Sequence, residues 1–241
     1  MSGRVGSITT DIIADGLVFN MDAANRACYP KTGTTIIDTI GNTSGTLNGT
    51  TFSNVNSGIF SFDGTDDYIN LNSFSSKLKT YTNVSICFIA KTSATPSLEY
   101  NNIVFGSNKT NGNAFRIGMG YNGGLFFSSN NTSGTSGDHN FQSNNSSLTK
   151  TLNNGSFYYI CLVQNSDNYK AYVDGSSIGS YTAEINDWSR CDLVQIGMEY
   201  DGASTSDHFN GQIANMQIYN RALSANEVLH NYNALKGRFG L

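Results

Sequence analysis

At least eleven short apolar runs punctuate the chain, each separated from the next by Gly, Asn, Ser or Thr, and no other feature of the sequence constrains the fold as strongly. They include GLVFNM (16–21), SGIFSFDG (57–64), VSICFIAK (84–91), AFRIGMG (114–120), SFYYICLVQ (156–164), LVQIGM (193–198) and IANMQIY (213–219). Runs of this length, rich in β-branched and aromatic residues and bounded by turn formers, read as strands of a sandwich or barrel. Composition agrees: 25 glycines against 2 prolines favour tight turns, because Gly tolerates the positive φ they require. FYYICLVQNSDNYKAYVDG reads as a hairpin turning at NSDN (165–168), and Asp174-Gly175 marks the next turn. The polar stretch 130–155 is expected to be surface loop.

One segment reads clearly as a helix. In ALSANEVLHNYNALKG, Ser224 and Glu227 have capping-box spacing, Val228, Tyr232 and Leu235 form an apolar stripe, and Gly237 suits a left-handed stop. The expectation is one all-β domain over 16–236, preceded by an arm (1–15) and followed by a tail (237–241). Arm and tail are assigned to anchoring or homo-oligomer contacts.

Several function classes lack their residues. The net charge of −4, without a basic cluster, argues against nucleic acid. No apolar run is long enough to insert in a membrane. No signal-peptide pattern opens the chain. Cys28, Cys87, Cys161 and Cys191 have no zinc spacing and are expected to be buried free thiols. There is no G-x-S-x-G elbow and no phosphate-binding loop. The four glutamates, Glu99, Glu184, Glu199 and Glu227, lie far apart in sequence.

GLVFNMDAANRACYP, FDGTDDYINL, the YVDG hairpin and the ending G-Q-I-A-N-M-Q-I-Y-N-R-A-L-S-A-N-E-V resemble a concanavalin A-like, laminin-G-type jelly-roll domain. The resemblance runs from about residue 16 to 236 and implies a jelly-roll β-sandwich with one short C-terminal helix. Laminarinase-like members carry an E-x-D-x-E strand, which this chain lacks, so no catalytic residue and no enzymatic activity is expected. Carbohydrate binding is the other implied role, with Tyr121, Trp188, Tyr200 and His208 as the loop residues assigned to it. The alternative for Trp188 and the tyrosines is a place in the core. A structural calcium is also implied, near the Asp63, Asp66, Asp67 turn and with Asn215 taken for an Asp of the family pattern; the triplet itself reads mainly as a turn. The opening DGLVFNMDAANRACYP and the ending NYNALKGRFGL further resemble laminin-G-type structural proteins of tailed bacteriophages. That likeness implies a virion component assembled in the host cytoplasm, as a capsid decoration, fibre or adhesin, with other virion proteins and host glycans as partners. A secreted or cell-surface bacterial binding module is the alternative.

Overall fold

The computed structural model describes residues 11–41, 43–98, 101–109, 112–130, 136–141, 150–201 and 203–241. The first strands in chain order are β1 (Leu17–Asp22), β2 (Thr35–Ile37), β3 (Ser44–Asn48), β4 (Thr51–Ser53), β5 (Ile59–Asp63) and β6 (Tyr68–Asn70). A single helical turn, α1 (Ser75–Leu78), precedes β7 (Ser85–Lys91), β8 (Ile103–Lys109), β9 (Gly112–Met119), β10 (Leu125–Asn130) and β11 (Ser136–Phe141). Then come β12 (Tyr158–Asn165), β13 (Asn168–Val173), β14 (Ser176–Thr182), β15 (Leu193–Ile196), β16 (Glu199–Asp201), β17 (Ser204–Ser206), β18 (Asn210–Tyr219) and α2 (Ala225–Leu235).

Two eight-stranded antiparallel sheets form the sandwich. Sheet A runs β14-β13-β12-β7-β18-β5-β4, with β1 also on β18, and sheet B runs β11-β10-β9-β8-β15-β6-β3-β2. Alternation sorts each strand between core and outer face. On β9, Phe115, Ile117 and Met119 enter the core between the sheets, while Arg116 faces outward. On β7, Ile86, Phe88 and Ala90 point inward, while Cys87 and Ile89 join a second apolar cluster on the outer face of sheet A. Val228, Tyr232, Leu235, Phe239 and Leu241 close that cluster from one side, and Ile13 and Leu17 from the other.

The hairpin turns fall where the sequence puts them. Asn165 pairs with Asn168 across a two-residue turn in which Ser166 has φ 58°. Asp174 and Gly175 both take positive φ, 49° and 77°. Helix α2 carries the capping box: Glu227 N donates to Ser224 Oγ, and Ser224 N donates to Glu227 Oε2.

Four expectations are corrected. Residues 136–141 of the polar stretch form β11, the edge strand of sheet B, held by full pairing with β10 despite a weak strand composition; 131–135 and 142–149 lie outside the described residues. Gly237 does not stop α2 in a left-handed conformation; the helix tightens into a 3-10 turn over Lys236–Arg238, and Gly240 takes the positive φ. Cys87 and Cys161 stand directly opposite each other on β7 and β12 and form a disulfide, whereas Cys28 and Cys191 are buried free thiols. Finally, residues 11–15 of the arm and the tail have a packing role. Ile13 N donates to Asn231 Oδ1, Tyr219 OH donates to Ile13 O, and Phe239 packs at 5.1 Å on Phe157.

Candidate binding cleft and acidic clusters

The segment that crosses from β14 to β15 is what shapes the rim of the sandwich. It leaves sheet A after Thr182 and is tied to sheet B by two hydrogen bonds. Asn130 N donates to Asn186 Oδ1 at 3.0 Å, and Asp187 N donates to Asn130 O at 2.8 Å. Asp187 then caps a short 3-10 turn by accepting from Ser189 N. Opposite this segment runs the connection between α1 and β7, Lys79–Thr82. An open cleft of about 610 Å³ lies between the two.

Its walls combine apolar and polar surface. Tyr81 contributes a half-buried aromatic ring, and Ile185 projects into solvent at 50% exposure. Asn186 is 3% exposed, and its Nδ2 has no hydrogen-bond partner among the described residues. Lys79 at the rim is ion-paired with Asp192. Burial raises the Tyr81 phenol above its usual range, with Asp38 adding to the shift, so Tyr81 is a neutral hydroxyl at pH 7. Beyond Ile185 a second hollow of about 610 Å³ includes His139, Asp167 and Thr182 and shares Glu184 and Ile185 with the first. Ile185 is therefore a ridge between two connected hollows. An apolar ridge, a tyrosine ring and amide and hydroxyl groups suit the alternating apolar and hydroxylated faces of a sugar chain.

The sequence-derived binding residues do not converge. Trp188 is 1% exposed, packs at 4.8 Å on Phe115 and donates its Nε1 hydrogen to Gln164 Oε1 at 2.7 Å. Its ring thus belongs to the core, and it forms the floor beneath the cleft. Tyr121 sits in the β9–β10 turn, beyond the end of β9 opposite Phe115. Tyr200 lies in the β16–β17 hairpin and His208 just after it. Tyr81, Ile185 and Asn186 were not singled out from sequence. Only the approach of two connections distant in the chain brings them to one cleft.

The acidic stretch resolves as a turn. Asp63 Oδ1 accepts from Thr65 N at 2.7 Å and Asp66 N at 3.4 Å, Asp67 Oδ2 accepts from Asp63 N at 2.9 Å, and Gly64 takes φ 81°. The carboxylates of Asp63 and Asp67 receive these amides. Asp63 and Asn215 cannot share a calcium ion. Asp63 pairs with Asn210, five residues from Asn215 on β18, which is roughly 16 Å of strand. Asn215 is fully buried with its Oδ1 accepting from Ile89 N. In the pattern G-x-I-D, moreover, Ala214 and not Asn215 holds the Asp position.

A different set of groups meets on the outer face of sheet B, where the β16–β17 hairpin lies across the strands. Gly106 permits that approach: a Cβ there would stand 2.4 Å from Met198 O. Arg116 projects from β9 to the hairpin, where it pairs with Glu199 and, at 3.5 Å, with Asp138 of β11. Glu199, Asp201 and Asp207 gather carboxylate oxygens within 4.8 Å of one another, as do Asp63, Asp66 and Asp67. Burial pushes the Glu199 carboxyl up to about 8, against Arg116 and with Asp207 adding to the shift. With 1% exposure, Glu199 is closed to a substrate.

Comparison with known proteins adds the following. Residues 63–229 match the family model described as the concanavalin A-like lectin/glucanases superfamily. No curated protein matches the chain. Among solved structures, the fold is similar to the binding domain of botulinum neurotoxin DC in complex with SialylT (TM-score 0.66, 16% identity, 92% of this chain and 52% of that one). It is also similar to domain 4 of AbnA, a GH43 extracellular arabinanase from Geobacillus stearothermophilus, in complex with arabinotriose (TM-score 0.65, 16% identity, 90% and 98%). A third is the receptor binding domain of botulinum neurotoxin type G (TM-score 0.61, 15% identity, 90% and 51%). This chain spans about half the length of those toxin domains. At these identities the likeness is one of fold.

Proposed function

Since the chain belongs to the concanavalin A-like lectin/glucanases superfamily, we propose that it is a glycan-binding module without hydrolytic activity, and that its site is the cleft flanking Ile185. The observation that carries this reading is the meeting of the Tyr81 ring, exposed Ile185 and the polar groups of Thr80, Thr82 and Asp187 in one open cleft. Two of the similar structures are complexes with SialylT and with arabinotriose, which supports the same class of ligand.

The test is binding to an oligosaccharide panel by the intact chain, its Tyr81→Ala and its Ile185→Ser variants, with reducing-sugar release measured alongside. Binding that both substitutions weaken about tenfold or more is expected, each group contributing on the order of 1.4 kcal/mol, with Tm unchanged in Ile185→Ser. Binding indifferent to both changes would move the site elsewhere, and sugar release would make the protein a hydrolase.

The setting we propose is a virion, in which the protein is a decoration, fibre or tail-associated adhesin, contacting other virion proteins and further copies of itself and engaging host surface glycans. Support comes from the likeness of the opening and ending segments to phage structural proteins. The alternative, a secreted or surface-bound bacterial module, draws support from the arabinanase domain, 98% of which this fold covers. Immunogold labelling of purified particles from the source separates them: labelled heads or tails support the first, and unlabelled particles with an accessible epitope support the second.

A further inference from the structure

We propose that the cleft flanking Ile185 takes uncharged glycans and rejects carboxylate-bearing ones. The inference rests on the reading of this cleft as the glycan site and adds to it the charge of the ligand. Three observations lead to it.

The first is the placing of the acids. Asp187 lines the first hollow, Asp167 the second, and Glu184 borders both beside the Ile185 ridge. A sugar chain lying across the ridge therefore meets an acidic group on either side and at the crossing. Local structure fixes these positions. Asp187 Oδ1 accepts from Ser189 N at 3.1 Å and from Ser189 Oγ at 2.6 Å. Asp167 occupies the two-residue turn between β12 and β13, and its carbonyl accepts from Ala183 N at 2.8 Å.

The second is the want of answering positive charge. Among the described residues, Lys79 is the one lysine or arginine lining either hollow, and it is already ion-paired with Asp192. Asp167 and Asp187 are in no ion pair among the described residues. Burial holds His139, the remaining base of the second hollow, below its usual range against the pull of Asp138, so it is uncharged at pH 7.

The third is that the rest of the surface is indifferent to charge. The Tyr81 ring, Ile185 and the hydroxyls of Thr80, Thr82 and Thr182 serve neutral and acidic sugars alike. Electrostatics then separates the two. A ligand touching these walls lies inside the ~8 Å over which charges act at physiological ionic strength. A carboxylate entering the cleft thus faces like charge from Asp167 or Asp187, and sheds water without gaining a cation.

The experiment compares matched glycans on the intact chain by calorimetry at pH 7. Each neutral oligosaccharide bound in the panel is paired with its counterpart oxidised to carboxylates at the primary hydroxyls, and each acidic one with its methyl ester. The neutral member is expected to bind about tenfold or more tightly at ~20 mM salt, where screening is weak, and the ratio to shrink severalfold at ~500 mM. Asp167→Asn and Asp187→Asn should each narrow the ratio about threefold or more at the lower salt, because one like charge is removed. Should Asp187→Asn disturb the turn it caps, Asp167→Asn in its exposed turn gives the same readout. Acidic members bound as tightly as neutral ones, or more tightly, overturn the inference and leave the glycan reading standing. A preference for neutral members that neither salt nor either substitution narrows overturns it too, because shape alone would then discriminate. Absence of binding by every oligosaccharide overturns the glycan reading and this inference with it.

Discussion

Individual side chains divide cleanly between those that hold the rim and those that present it. Trp188 holds it: the indole fills core space against Phe115, and its N–H is satisfied by Gln164. Trp188→Ala should cost about 3–5 kcal/mol, as large-to-small core changes do, and urea unfolding would read this as a lower midpoint. Ile185 presents the rim, so truncating it should alter ligand binding and leave the midpoint near its original value, whereas the Tyr81 ring also packs on the core and its removal should lower the midpoint as well. Both a binding and a core role for Trp188 were open in the sequence, and the fold places its ring in the core. An indole in a loop carries the same letters whether the loop folds over it or holds it out to water.

Among the elements, α2 and the β16–β17 hairpin show the two ways in which local chemistry meets tertiary context. The cap of α2 is local. Ser224→Ala removes the acceptor for Glu227 N and should lower stability by about 1 kcal/mol, measurable by thermal denaturation. Glu227 also accepts from Arg221 Nη2 at 2.6 Å, and this hydrogen bond, foremost, holds its carboxyl down at about 2. Because the folded pKa lies below the ordinary value of 4.5, the contribution to stability is complete above pH ~4.5 and fades as pH falls towards ~2. The Tm difference between the parent and Glu227→Gln should shrink over that window. The hairpin, in contrast, rests on close approach: Gly106→Ala would set a Cβ against Met198 O and should lift the hairpin, exposing Arg116 and Glu199. Faster amide exchange in residues 199–206 would report it.

At the scale of the whole molecule, two apolar layers and the chain ends are mechanically linked. The Ile13, Tyr219 and Asn231 hydrogen bonds and the Arg238–Asp22 pair, at 2.8 Å, tie both ends to β1 and β18. Removing residues 1–10 deletes none of these bonds, whereas starting the chain at residue 16 deletes the Ile13 contacts. Starting at residue 16 should lower Tm. Residues 11–15 therefore belong with the domain, and an anchoring role for the arm is better tested on residues 1–10. The disulfide joins neighbouring strands of sheet A across 74 residues of chain. Alkylating denatured, unreduced protein should mark Cys28 and Cys191 and spare Cys87 and Cys161, as mass spectrometry would show. Loop closure over that length predicts a stabilisation of about 4 kcal/mol.

Much of what local periodicity records was open to reading in the sequence: strands β1, β5–β10, β12, β13, β15 and β18, the turn at Asp174-Gly175, the Ser224–Glu227 cap and the sandwich class. Each depends on residues within a few positions of one another, where backbone stereochemistry and alternation act. Strand β11 escaped because SGDHNF has little strand character of its own and is held by pairing with β10. The disulfide escaped because register, not spacing, brings Cys87 opposite Cys161. The cleft and the Glu199 cluster were decided by the tertiary structure alone. Tyr81 and Ile185 stand over a hundred positions apart, and Arg116 and Glu199 are 83 apart. Their meeting depends on how two sheets stack and which connections cross the rim, and no local pattern records either.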